Sequence, residues 1–211
     1  MNNRELQRRR PVWSALSDLF LDTEVRWFIP RIAKVLVESD YSEVELRRIW
    51  HCEVVPECAW NFLSIAGEWG AMPLDEGRLR RRATWFPGLM TLLWQIPGRL
   101  MREEFHQTLE LRRRLRDYDP AWRDSYASVW KAFADIYVEE DLEDVFGLDN
   151  RIEHLVSSRL SREEMLETFD EDFRPVFREL LIGDEAAGEA RRAANVVAIV
   201  ERAIALRRNG K

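Results

Sequence analysis

Apolar residues recur at helical spacing from one end of the chain to the other. Trp13, Leu16, Leu19 and Phe20 follow one another by 3, 3 and 1 positions, which puts them on one face of a helix, with Pro11 suited to its first turn. A second helix is predicted over about Val25 to Glu38, with an apolar stripe of Phe28/Ile29, Ile32 and Val35/Leu36. Ser42-Glu43-Val44-Glu45 is a capping box opening a third helix to about Cys52, after which Pro56 restarts the chain. A fourth helix is expected from Glu57 to Trp69, ended by Gly70. Further pieces are Asp75 to Ala83, Pro87 to Gln95, and Pro97 to about Tyr118. Asp119-Pro120 pairs an N-cap with a proline at the first helical position, and the helix behind it runs towards Phe146. Ser161-Arg162-Glu163-Glu164 is a second capping box, opening a helix to about Ile182, and a last helix follows Asp184 to near Arg208.

No stretch alternates with period two. The pattern therefore predicts an all-α fold, an irregular globular bundle of about nine or ten helices. No internal repeat of fixed period is visible. A change of character lies near Tyr118-Asp119-Pro120. All nine tryptophans precede it or follow closely, from Trp13 to Trp130. Residues 1–118 read as a Trp-rich helical core, and 119–211 as a C-terminal helical extension, acidic and then basic, packed on the same domain.

Composition fits that picture. The 211 residues carry 32 Lys+Arg against 38 Asp+Glu, a net charge of −6, with 46% apolar residues. A chain of this length buries enough surface to fold without a disulfide or metal. Only 9 Gly and 8 Pro leave too few turn signals for a sandwich or barrel. Cys52 and Cys58 read as reduced thiols. The start, Met1 to Arg10, lacks an apolar segment of the signal-peptide kind. The longest uncharged run, Ala83 to Gly98, is 16 residues and contains Pro87 and Pro97, too short to span a bilayer. The expectation is a cytoplasmic protein without membrane contact.

The string Arg9-Arg10-Pro11-Val12-Trp13-Ser14-Ala15-Leu16-Ser17-Asp18-Leu19-Phe20-Leu21-Asp22-Thr23-Glu24 resembles the opening of a family of small, uncharacterised bacterial proteins. The likeness resumes at Ile32 to Leu36, Tyr41-Ser42, Glu53 to Pro56, and Asn61-Phe62-Leu63-Ser64-Ile65-Ala66-Gly67-Glu68-Trp69, and covers roughly residues 8–82. The family carries no known activity. Its setting resembles that of small bacterial proteins encoded beside secreted toxins as immunity factors.

Candidate chemistry is sparse. His51, Cys52, Glu53, Glu57 and Cys58 are rich in ligand atoms, but adjacent His51 and Cys52 do not share a helix face, so no metal or other cofactor is expected. No nucleophile motif or phosphate-binding glycine loop occurs. Asp18, Asp22, Glu53 and Glu68 are the acids from which a carboxylate or metal site between helices would be built, but the Glu-x-x-His pairs of such bundles are missing.

Charge and tryptophan are more informative. From Asp135 to Glu185 there are 17 acids against 5 arginines. Within it, Glu139, Glu140, Asp141, Glu143 and Asp144 have no basic neighbour. Such a run repels itself and suits capture of a basic partner, not a nucleic acid. The tryptophan surplus exceeds what a core of this size takes in, and exposed tryptophans anchor interfaces. The expected partner-binding residues are that acidic run with Trp122, Trp130, Tyr137 and Phe146; Trp27 and Trp85 are the alternative. The expected function is non-enzymatic: an immunity protein that neutralises a bacterial toxin with a basic surface, a nuclease for example. The alternatives are an enzyme with an inter-helix carboxylate or metal site, and a secretion adaptor or chaperone.

Overall fold

Asn2 starts the first helix: its side-chain oxygen accepts a hydrogen bond from the Glu5 N–H at 2.8 Å, satisfying one of the free donors of the first turn. The computed structural model describes residues 2–21, 25–58, 77–80, 102–138, 152–178 and 185–209. Among these residues every regular element is helical, and the fold is all-α. The chain divides into two compact units, 1–117 and 118–211.

In the first unit, α1 spans Asn3–Ser17 and a 3-10 turn, Asp18–Phe20, continues it. Pro11 does not open this helix as expected; it lies inside, on the exposed side. A second 3-10 turn, Val25–Phe28, leads into α2, Ile29–Glu38, where Pro30 falls in the first turn and leaves no donor wasted. Asp40 takes the left-handed conformation (φ 57°) that ends the helix. The Ser42 capping box forms as predicted and opens α3, Glu43–Ile49. Pro56 does not restart the chain. A wide turn of π-helix, Trp50–Val54, carries α3 directly into a further helical turn at 55–58. There the Val55 N–H donates to the Trp50 carbonyl, five residues back. Proline within a plain α-helix collides with the carbonyl four residues earlier; the wide turn just ahead of Pro56 moves that carbonyl aside. After a short helical stretch at 77–80, α4 covers Arg102–Leu115.

The core of this unit is the predicted face of α1 and α2. Trp13, Leu16, Phe20, Ile32 and Leu36 are buried, joined by Leu46, Trp50, Val54 and Phe105. Trp50 stacks on Phe105 (ring centres 4.6 Å apart) and tilts against Phe20 (5.1 Å). Each such side chain contributes about 1.5–3 kcal/mol by leaving water. Leu63 and Trp69 of the predicted fourth helix lie outside the described residues, as does most of that helix.

The second unit opens at Asp119, whose side chain accepts from the N–H groups of Ala121 and Trp122 at 2.9 and 3.0 Å. Behind it runs α5, Pro120–Val138. Then come α6 (152–157), the second capping box at Ser161, and α7, Arg162–Glu167. A second π turn, Thr168–Phe173, leads without interruption into α8, Arg174–Arg178. The last helix, α9, is Glu185–Asn209. Its core is aromatic: Phe133, Phe169, Phe173 and Phe177 are buried, with ring centres between 4.2 and 5.8 Å apart in successive contacts.

Candidate partner-binding site

On α5, Tyr126, Trp130, Phe133 and Tyr137 follow one another by 4, 3 and 4 positions and so share one helix face. That face meets the phenylalanines of the π turn. Trp130 packs edge-on against Phe173 at 5.2 Å, and Tyr137 against the same ring at 5.5 Å. Both residues are buried, at 4% exposure. They therefore serve the core instead of offering a surface to a partner: apolar area at the centre of a helix is covered by its own unit before a second molecule reaches it.

Trp122 is different because it stands one turn from the helix start, where the core runs out. It is half-buried, and stacks on Tyr126 inside (5.4 Å) and on Tyr118 outside (3.9 Å). Tyr118 is 46% exposed. Three stacked rings thus lead from the core to water. The indole N–H of Trp122 donates to Glu164 at 3.1 Å, and Glu164 also closes the Ser161 capping box. These bonds from Ser161 and Trp122 hold the Glu164 carboxyl below its ordinary value. Glu164 is the acid in contact with this aromatic edge, and Asp119 caps the same helix end. Negative charge beside ring faces suits an arginine or lysine from another molecule, through ion pairing and cation–π contact together. The acidic run Glu139, Glu140, Asp141, Glu143 and Asp144, with Phe146 and Trp85, lies outside the described residues; Trp27 is half-buried.

The acids considered for chemistry are held by structural partners. Glu53 lies on the first π turn, 1% exposed. One of its oxygens accepts from Arg9 and the other from the Trp13 indole N–H at 2.7 Å. Burial pushes this carboxyl up, and the bond and charge of Arg9 only partly offset it. Arg9 in turn also reaches Glu5 at 2.8 Å, and Glu5 accepts from the Tyr41 hydroxyl at 2.9 Å. Burial and that bond push the Tyr41 hydroxyl up to about 12. Asp18 engages a different cation, Arg31, at 2.6 Å; burial raises its carboxyl despite the arginine. Asp22 and Glu68 lie outside the described residues. Cys52 and Cys58 are free thiols, and among the described residues no three or more of His, Cys, Asp and Glu gather as a metal would require. An open depression in the second unit is lined by Asp170, Arg174, Pro175 and Arg178. Its arginines both reach Glu189, at 2.5 and 4.0 Å, and Arg174 also reaches Asp170 at 3.3 Å.

Two functional positions escaped the sequence reading. Tyr118 looked like the end of a helix, yet it forms the outer ring of the stack. Arg112 stands in the run Arg112-Arg113-Arg114, interleaved in sequence with acids such as Glu103, Glu104 and Glu110 that would be its natural partners. Instead it is buried and donates to the carbonyls of Leu36, at 3.1 Å, and Tyr41. The only advance signal for Tyr118 was its spacing of four from Trp122.

Residues 7–111 match a family model described as a domain of unknown function, DUF7079. The match spans just under half of the chain and falls within the first unit. No curated protein matches the chain, and no solved structure does.

Proposed function

We propose that this chain is a non-enzymatic binding protein, and more specifically a cytoplasmic immunity protein that neutralises a bacterial toxin by direct contact. The observation that carries the reading is the stacked Tyr118–Trp122 pair at the water-facing end of the second unit's aromatic core, with the Glu164 carboxylate bonded to the indole. Aromatic anchors of this kind supply affinity at interfaces. The acidic stretch that follows α5 in sequence would steer a basic partner and raise the association rate. A nuclease, whose active groove is basic because it receives phosphate, is the kind of toxin that such a surface suits. The carboxylates of the first unit support the same reading: Glu53 and Asp18 are each tied to an arginine, an arrangement that serves folding.

The test is co-expression in a bacterial host of this chain with the protein encoded beside it. Rescue of growth from a toxic neighbour, with a complex that survives gel filtration, is the expected result. Trp122→Ala should then weaken the complex by about 2 kcal/mol, about thirtyfold in Kd. Reversing Glu140, Asp141 and Asp144 to lysine should slow association without unfolding the chain, and added salt should act in the same direction. A neighbour that is harmless and does not bind would end the immunity reading. A complex indifferent to Trp122→Ala would move the interface away from this edge.

A further inference from the structure

The two units share a construction that the sequence conceals. Ser42 and Ser161 each open a capping box, with Glu45 and Glu164 in the reciprocal position. Fourteen residues after each serine stands a proline, Pro56 and Pro175, and each proline follows a π turn, Trp50–Val54 or Thr168–Phe173. Both turns end in the same bond, from the residue before the proline to a buried aromatic five back: Val55 to Trp50, Arg174 to Phe169. Positions 119 apart match through this segment.

Contacts to the neighbouring helices match as well. Trp50 packs against Phe20 of the leading helical segment at 5.1 Å; Phe169 packs against Phe133 of α5 at 5.4 Å. Seven residues before each phenylalanine is an aromatic donor to the acid on the π turn, Trp13 to Glu53 at 2.7 Å and Tyr126 to Asp172 at 2.7 Å. Glu53 and Asp172 are again 119 apart. The closing helices complete the likeness. Arg112 of α4 donates to the carbonyls of Leu36 and Tyr41, around the end of α2. Arg207 of α9 donates to Leu160 at 2.7 Å, and to Leu155 and Val156 at 2.9 Å for the latter, around the end of α6. Leu155 and Leu160 lie 119 positions after Leu36 and Tyr41. A short helix that ends in a buried place leaves carbonyls that need donors, and both units supply them with one arginine from the last helix.

We infer that the second unit is a diverged second copy of the fold carried by residues 7–111, so that the chain is a tandem duplication of one helical domain. Matching helix order alone is common among all-α units. A π turn, a proline, a carboxylate–aromatic bond and an arginine clasp at corresponding places are not expected to coincide by chance. The spacings differ between segments: 113 for the leading helix, 119 for the middle, 95 for the closing helix. Insertions between helices explain this and erase any fixed period. The matched family model stops at the end of the first copy, and the inference assigns the same domain to the residues after it.

Two measurements on the full chain test this. An experimental structure should superpose 33–58 with α4 onto 152–177 with α9; failure of that superposition overturns the inference. Hydrogen exchange of Arg112→Met and Arg207→Met, which keep the apolar stem, should show matching lesions. The first should speed exchange on the order of tenfold at 36–41, the second at 155–160, each in its own copy. Should either methionine variant not fold, Arg112→Lys and Arg207→Lys serve, because one ammonium does not span the carbonyls that a guanidinium bridges. If Arg207 variants leave 155–160 unchanged while Arg112 variants loosen 36–41, the clasps are not equivalent and the duplication is rejected.

Discussion

The leading helices of the two units present the same face to a π-turn acid, yet one face is charged and the other aromatic. In the first unit, Arg9 and Trp13 hold Glu53, Glu5 holds Arg9, and Tyr41 holds Glu5. In the second, Tyr126 holds Asp172, and the next ring outward is Trp122, stacked under Tyr118. The frame is common and the outer edge is not. A buried ion pair fixes a helix but offers little to a second molecule; a half-exposed ring stack leaves apolar area uncovered, and area of that kind is where affinity arises. The difference teaches where the proposed binding function would be tested first: on the edge that the shared frame does not require.

The largest effects should fall in the first unit. Trp13→Ala removes a fully buried ring and the Glu53 donor, and should cost about 3–5 kcal/mol in urea unfolding; an unchanged midpoint would refute its place in the core. Glu53→Gln leaves Arg9 without its buried counter-charge and should cost about 2–4 kcal/mol, whereas Asp172→Asn, on a half-buried acid that accepts from the Tyr126 hydroxyl, should cost about 1 kcal/mol. Equal losses would erase the contrast between the charged and aromatic edges. Trp122→Arg imitates the charged edge and sits beside Glu164; it should change stability by about 1 kcal/mol or less while abolishing partner capture.

The smallest expected effect is that of acid on the tie between α3 and α4. Glu43 accepts from Arg113 at 2.8 and 2.9 Å and from Arg47 at 2.8 and 3.1 Å. Those bonds hold its carboxyl down to about 2. A lowered folded value means that the stabilisation is complete above the ordinary carboxylate range, near pH 4.3, and is lost as pH falls towards 2. Because the pair is on the surface, the loss should be at most about 1 kcal/mol, and Glu43→Gln should flatten that part of the pH profile. At the corresponding start of α7, Arg162 instead reaches Glu201 of α9. The sign of the tie is reversed, and acid should loosen it in the same direction, since Glu201 is likewise held low.

Helix content and both capping boxes were legible because their signals are local: period 3.6, and a serine three residues before a glutamate. The buried face of α1 and α2 was legible for the same reason. Pro56 misled because proline in a helical pattern signals a break, and the compensating wide turn has no residue signature of its own. Trp130 and Tyr137 were placed at an interface because they neighbour the acidic run in sequence; which ring meets water depends on how near the helix end it stands. Arg112 and Arg207 were opaque, since an arginine that serves carbonyls looks in sequence like any charged residue of a surface run. Nor did the shared frame of the units show: its fixed points are Ser, Glu and Pro, while the packed positions exchange Trp for Phe, Leu for Met, and Glu for Asp.

The π turns make the two middle helices intolerant of changes in length. Each wide turn adds a residue to the helical winding, and one residue rotates everything beyond it by about 100°. That rotation sets which side chains follow: Phe173 and Phe177 are buried while 174–176 are not, and in the first unit the whole of 53–58 is buried. Deleting any single residue between serine and proline would undo it. The following turn would bring polar side chains round to the interior and set the proline ring against an unmoved carbonyl. Homologous stretches should therefore drift freely in residue type at most positions while keeping the same count from serine to proline.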